Sequence, residues 1–414
     1  MCGISGMRCR DSMISPVMLK TFWCTILLWL GPAASAWTAP VHPMVPMFHR
    51  WDYEKSVERI ARVAESGARR VSFTVLLLSE LEPGFKVKHY GATWPRTKAD
   101  GAVEYVFQPM TVEMRREIGV SLRTAFAEAV QRGLEINVLP MIDATGAITE
   151  WRNFFDFDPT VKLDGFSYET ALLEVVVEAL EAAVPAGHPV EMTLEGEMGC
   201  SLFTHPDAWR GILERLRGRG KLTKLRLGLS ANYENVAGKV VPDTGQQSGM
   251  RRLIAAGDFV GISCYAKVSA PPVAADFTAC VDQFCKEFAE AGCPIPLDKP
   301  LRFTELGHGG GGFDQAWKVT VPAPTVERMG NAAFFGTDKA ELNPWTTPDR
   351  IAFRRRFYRA ALEFLATQPS RWQVENAYLW SFGSWDLHGI SAPTFADPEI
   401  AAAIKAHNAA VRRP

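Results

Sequence analysis

The 414-residue chain has no surplus of charge of either sign: 45 Lys and Arg stand against 46 Asp and Glu, a formal net charge of −1. No basic field points to a nucleic-acid partner, and no acidic block points to a disordered tail. Cysteine and histidine are few and unpatterned. The eight Cys form no C-x-x-C or zinc spacing, and the eight His never form H-x-H or H-E-x-x-H, so no metal site is expected. There is no G-x-S-x-G pentapeptide, which removes the serine-hydrolase elbow and argues against a carbohydrate esterase. There is no Gly-rich dinucleotide turn after the first apolar strand, where the chain reads MFHRWD, and no cofactor is called for. Past residue 36 no run is long and apolar enough to cross a membrane. No repeat or low-complexity linker divides the chain. What is present is 47% hydrophobic and 22% charged, enough for one large core. Aromatics make up 11%, including 12 Trp; a Trp face suits the C–H face of a pyranose, although core packing accounts for most of them.

The N-terminus reads as a leader. From Met18 the sequence MLKTFWCTILLWLGPAASAW has one Lys, an apolar run over Phe22–Leu30 and a small-x-small close at Ala34-Ser35-Ala36. That is the order of a secretory signal peptide, too short to span a bilayer. The expectation is a cleaved leader over 1–36 and a secreted or periplasmic chain over 37–414. Cys200, Cys264, Cys280, Cys285 and Cys293 then remain, an odd number for an oxidising compartment, with one local bridge open among the last three.

Eight short apolar runs alternate with amphipathic stretches. The strands are read at Pro43–Phe48, Arg70–Leu78, Glu135–Ile142, Val190–Leu194, Leu225–Ser230, Phe259–Cys264, Leu301–Thr304 and Ala377–Ser381. Helix signals lie between them. Asp52 is read as an N-cap with Gly67 as the stop, Thr204 and Asp207 as a capping box, Thr347-Pro348 as a helix start, and a last helix as running from Pro398 to Val411. Eight β-then-α units predict an α/β fold, a single-domain (β/α)8 TIM barrel, over an open doubly wound sheet. Two long inserts, Ser79–Met110 and His308–Asn343, follow strands two and seven, on the face where barrel active sites form.

Functional side chains in a barrel come from strand ends. The first strand ends in Phe48, His49, Trp51 and Asp52, and the third in Asp143. The fourth ends in LEGEMG with Glu195 and Glu197, the fifth in SANYEN with Asn232, the sixth in Tyr265, the seventh in Glu305, and the eighth in Trp380, Trp385 and Asp386. Carboxylates after strands four and seven can converge across the mouth. Two of them about 5–5.5 Å apart suit a retaining glycosidase, one protonated as acid and one ionised as nucleophile.

With LEGEMG, DFVGISCY, FTELG and LWSFGSWD the sequence resembles the clan A glycoside hydrolases, and its third loop WRNFFDFDP is most similar to the family 113 mannanase-type members. The resemblance implies Glu305 as nucleophile, Glu197 as acid/base, Tyr265 as the tyrosine that hydrogen-bonds the nucleophile, and Trp380 as the floor of a sugar subsite. One position departs. Clan A members place Asn directly before the acid/base, to bind the sugar 2-hydroxyl; here it is Gly196, with Asn232 as a candidate replacement. Strand parity puts Glu191, Thr193 and Glu195 on the inward face, so Glu195 is an alternative acid/base or a substrate-binding residue. Trp51, His49, Trp151 and His308 are weaker sugar contacts. The expected partner is a carbohydrate, with neither nucleic acid nor membrane, and the oligomeric state is open. The expected activity is retaining, β-mannanase-like hydrolysis. The alternative is a catalytically silent polysaccharide-binding protein on the same scaffold. The stretch LRFTELGHGGGG lacks the Lys-Ser or Lys-Thr of a phosphate cradle and reads as a φ-permissive loop behind a catalytic strand end.

Overall fold

Runs that are apolar on both faces have to be covered on both faces, and in this chain they are. The computed structural model describes residues 38–308, 312–314, 319–321 and 337–411. The leader over 1–36, the glycines at 309–311 and most of the insert after strand seven lie outside the described residues. The described residues form one compact unit.

Eight parallel strands close into a barrel: β1 (Val41–Met47), β2 (Arg70–Glu82), β5 (Glu135–Thr145), β6 (Val190–Thr193), β7 (Leu225–Asn232), β8 (Phe259–Cys264), β9 (Leu301–Leu306) and β12 (Val374–Leu379). They follow one another in that order around the ring, and β1 pairs with both β2 and β12 to close it. Helices follow each strand: α1 (Arg50–Glu54) and α2 (Ser56–Glu65), α3 (Val112–Gln131), α4 (Glu174–Ala183), α5 (Gly199–Thr204) and α6 (Pro206–Gly218), α7 (Thr244–Ala256), α8 (Ala274–Glu290), α9 (Pro348–Thr367) and α10 (Pro398–Ala410). This is the (β/α)8 barrel expected from the strand count.

The first insert has structure of its own. Strand β2 runs on to Glu82, and β3 (Lys86–Thr97) folds back on it antiparallel, pairing Gly91 with Leu78. Strand β4 (Val103–Pro109) pairs with β3, so a β-hairpin arm stands beside the barrel mouth. In the second insert the described residues include a short antiparallel pair, β10 (Gly312–Asp314) and β11 (Val319–Val321).

The barrel floor confirms the predicted parity of β6. Glu191 points inward, 2.7 Å from Arg70 on β2 and 3.1 Å from Arg302 on β9, and accepts from the Tyr378 hydroxyl of β12 at 2.9 Å. Burial alone would raise its carboxyl. The surrounding guanidiniums of Arg70, Arg302 and Arg226 outweigh that and hold it well below the usual carboxylate range.

Three local readings are corrected. Asp52 is the third residue of α1, not its N-cap. Its carboxylate accepts from the His49 N–H at 3.1 Å and pairs with Arg59 at 2.8 Å, so His49 takes the cap position. Thr204 closes α5, and α6 starts at Pro206 behind His205, so the Thr204–Asp207 box does not form. No bridge joins Cys280, Cys285 and Cys293; all five described cysteines are free and buried, with the Cys264 and Cys280 sulfurs 3.7 Å apart. Thr347-Pro348 does start α9. No described helix is long and apolar enough to cross a membrane, and among the described residues no group of three His, Cys, Asp or Glu could hold a metal ion.

Candidate active site

The fourth barrel strand ends early. Strand β6 stops at Thr193, and the Leu194–Met198 segment then crosses to the start of α5 alongside β7, the Leu194 N–H donating to the Gly228 carbonyl at 2.9 Å. Glu195 holds this crossing in place: its carboxylate accepts from the backbone N–H of Ser230 at 2.7 Å and of Met198 at 3.0 Å. The Glu197 N–H donates to the Ser230 carbonyl at 3.0 Å, a second tie to β7. Glu195 is fully buried and engaged at both oxygens, and burial pushes its carboxyl up to about 8.

This crossing leaves Glu197 at φ +61, a left-handed conformation that a non-glycine residue adopts only when its surroundings enforce it. It also explains Gly196. A Cβ there would stand 3.1 Å from both Leu139 and Met141 side chains and 3.3 Å from the Pro140 carbonyl, so β5 packs closely on this position and would have to give by a few tenths of an ångström to admit a side chain. The donors come from elsewhere. Trp151 Nε1 at 3.0 Å and an Arg152 guanidinium N–H at 2.8 Å donate to Glu197 Oε2, and Asn232 Nδ2 donates to Oε1 at 2.8 Å. Arg152 also reaches Asp143 at 3.1 Å and the Ile142 carbonyl at 3.2 Å.

The seventh strand is bulged immediately before its carboxylate. Against β8, Phe303 pairs with Ile262 and Glu305 with the next residue, Ser263, leaving Thr304 as the extra residue. Such a bulge re-aims the following side chain, here Glu305 at the strand end. The Thr304 hydroxyl lies 2.6 Å from that of Ser230, the residue that braces the Glu197 crossing. Ser230 therefore ties together the supports of both carboxylates. Tyr265, just past β8, donates its hydroxyl to Glu305 Oε2 at 2.6 Å, while Oε1 has no hydrogen-bond partner among the described residues. Gly307 makes this possible: a Cβ there would stand 2.4 Å from the Tyr265 ring.

The two carboxyls are unequal. Burial pushes Glu305 up to about 8, helped by the negative charge of Glu197 and only partly opposed by Arg152 and Tyr265. Burial also pushes Glu197 up, but Arg152, Trp151 and Asn232 together pull it below its ordinary value. Burial thus favours a proton on Glu305, while the donors around Glu197 favour its ionised form.

Around this pair the predicted rim residues are partly brought together. Trp380 is half-buried, its backbone N–H bonded to the Leu306 carbonyl at 3.1 Å and its ring centroid 6.0 Å from that of Phe48. Trp51 lies against His49, ring centroids 4.3 Å apart, and meets Tyr105 of the hairpin edge-on at 5.3 Å. His49 Nδ1 is 3.2 Å from the Thr93 hydroxyl, so α1 and the hairpin arm share one wall. His308 is elsewhere: it is buried among Trp345, Phe353 and Phe357, and burial lowers it to about 3. Sequence reasoning did not pick out Arg152 or Ser230. The available signal was an Arg following a Trp in the loop after strand three, and that is indistinguishable from a solvated loop residue without the fold.

An eight-stranded barrel with buried glutamates at the ends of its fourth and seventh strands is the class that these observations define. No family model matches the chain, and no curated protein matches it. Among solved structures it is similar to the GH113 β-mannanase of Alicyclobacillus acidocaldarius in complex with ManMIm: 17% identity, TM-score 0.50, covering 90% of this chain and 98% of that one. A GH113 β-1,4-mannanase complex gives 13% identity and a TM-score of 0.48 over 90% and 99%. GH5_18 from Streptomyces cattleya in complex with GlcNAc gives 15% and 0.46 over 92% and 83%. The first of these likenesses establishes the fold, and it agrees with the resemblance carried by the motifs.

Proposed function

We propose that the protein is an exported retaining glycoside hydrolase of β-mannanase-like activity, with Glu197 as acid/base and Glu305 as nucleophile. The observation that carries this reading is the pair itself: two buried carboxyls at the ends of β6 and β9, close enough to perturb each other electrostatically, with the Tyr265 hydroxyl on Glu305. In the first step Glu197 gives its proton to the departing glycosidic oxygen while Glu305 bonds to the anomeric carbon. In the second, ionised Glu197 takes a proton from water, the water oxygen bonds to the anomeric carbon, and Glu305 leaves as carboxylate. Tyr265 orients Glu305. Trp380 supplies an apolar face at the mouth, and Trp51 and His49 a more distant wall. Glu195 supports the acid/base and does not replace it, since both its oxygens are held by backbone amides.

The chemistry needs a proton on Glu197 and a charge on Glu305, whereas burial of Glu305 and the donors around Glu197 push the two carboxyls the other way. That inversion favours a second reading, a polysaccharide-binding protein without turnover. Release of reducing ends from a panel of β-mannans and other β-glycans, with Glu305→Gln as the control, separates the two. Hydrolysis lost in the variant supports the enzyme; retention of a polysaccharide in affinity electrophoresis with no hydrolysis by the native chain supports the binder.

A further inference from the structure

Glu197 carries its donors in an arrangement that constrains its protonation. Oε2 receives two N–H groups, from Trp151 and Arg152, and Oε1 receives one from Asn232. Both lone pairs of Oε2 are therefore taken, and a proton on Oε1 has to share that oxygen with the Asn232 donor. Asn232 can resolve this by turning its amide, which presents an oxygen to a protonated Oε1. Arg152 cannot, because a guanidinium has only donors and stays charged. Its contact is compatible with Glu197 as a carboxylate and opposes Glu197 as an acid.

Arg152 also has a second place to rest. Its Nε lies 3.1 Å from Asp143 Oδ1 and donates to the Ile142 carbonyl at 3.2 Å, both at the end of β5. The side chain can leave Glu197 and remain anchored. The other charged or titratable groups facing Glu197 are Asp143 from β5, Glu305 from β9, Tyr265 from beyond β8 and Glu195 from its own crossing. Of all these groups only Arg152 brings positive charge.

We propose that Arg152 is a positioning residue that keeps Glu197 ionised in the free cleft and yields it to substrate by withdrawing onto Asp143. This rests on the retaining reading above. The close packing of β5 against Gly196 gives it a structural setting: no side chain stands at position 196, and the loop after β5 supplies Trp151 and Arg152, which hold Glu197. A sugar unit entering beside Glu197 has to take over the position of the guanidinium N–H, so proton transfer is coupled to occupancy of the cleft.

The test is a carbon-13 NMR titration of the full chain labelled at the glutamate carboxyl carbon, comparing the native protein with Glu197→Gln, Arg152→Met and Arg152→Lys. Among the carboxyls that titrate below the ordinary glutamate range, Glu191 included, the native protein should show a signal that disappears in Glu197→Gln. In Arg152→Met that signal should move up by about one pH unit or more, a tenfold change in proton affinity. Lys, with charge but no fork, should move it less. An aryl-glycoside assay on the same proteins should show the acid limb of kcat/KM, set by the carboxyl of lower proton affinity, moving up in Arg152→Met, a change that a purely structural role would not produce. A Glu197 signal that stays in place in folded Arg152→Met overturns the proposal; should that variant fail to fold, an unmoved signal in Arg152→Lys does so. If the signal moves but the native chain cleaves no glycoside, Arg152 controls Glu197 and the retaining reading is what fails.

Discussion

Glu305→Gln should make the protein more stable, by an amount that grows with pH. A buried carboxyl raised from 4.5 to about 8 keeps its proton in the folded state where the unfolded chain has lost it. Its contribution to stability is fully present below about 4.5 and is lost as pH rises through 8, because the unfolded state binds fewer protons over that window. At about 1.4 kcal/mol per pH unit the ceiling is roughly 5 kcal/mol. Gln cannot ionise and is nearly isosteric, and its amide oxygen can still accept from Tyr265. Glu195, also raised to about 8, is common to both proteins and cancels in the comparison. Thermal unfolding of the two proteins between pH 4.5 and 9 should show nearly coincident curves at the acid end. A gap of at least about 2 kcal/mol, a few degrees in Tm, should favour the variant by pH 8.5. Parallel curves over the whole range would refute the claim that the active cleft buries this carboxyl at a cost.

Glu195→Ala strands the Ser230 and Met198 amides and should destabilise the fold by about 2–6 kcal/mol, at 1–3 kcal/mol for each buried donor left unsatisfied, as read by denaturant unfolding. It should also impair activity with no recovery by added azide, because the residue braces Glu197 and takes no part in the chemistry. Export predicts that N-terminal sequencing of the mature protein begins at Trp37; an intact leader on a cytosolic protein would contradict it.

The strands were legible because a parallel barrel buries both faces, so most read as largely apolar runs, as in VLPMI of β5. The hairpin arm was not. KVKHYGATWPRT and VEYVFQP are half-exposed and broken by Gly and Pro, and their pairing depends on β2 continuing to Glu82. At the site, Glu305, Tyr265 and Trp380 could be placed from strand order alone. Glu195 and Glu197 could not be told apart that way, since alternation carries an inward face past the true end of β6 at Thr193. Only the turn at Glu197, with its positive φ, separates the residue that holds the crossing from the one that lines the cleft. Arg152 was invisible for a different reason: its role depends on two partners, Asp143 and Glu197, that only the closed barrel brings beside it.

The most direct test of the two-glutamate reading is chemical rescue with an activated aryl glycoside. Glu305→Ala should lose turnover and regain it with azide, giving a glycosyl azide of inverted configuration, because the small anion enters where the nucleophile stood. Glu197→Ala should still release the good leaving group in the first step and, with azide, give a glycosyl azide of retained configuration. The reverse assignment of the two products would exchange the roles of the glutamates, and the absence of rescue in both variants of an active native enzyme would contradict the double-displacement mechanism itself.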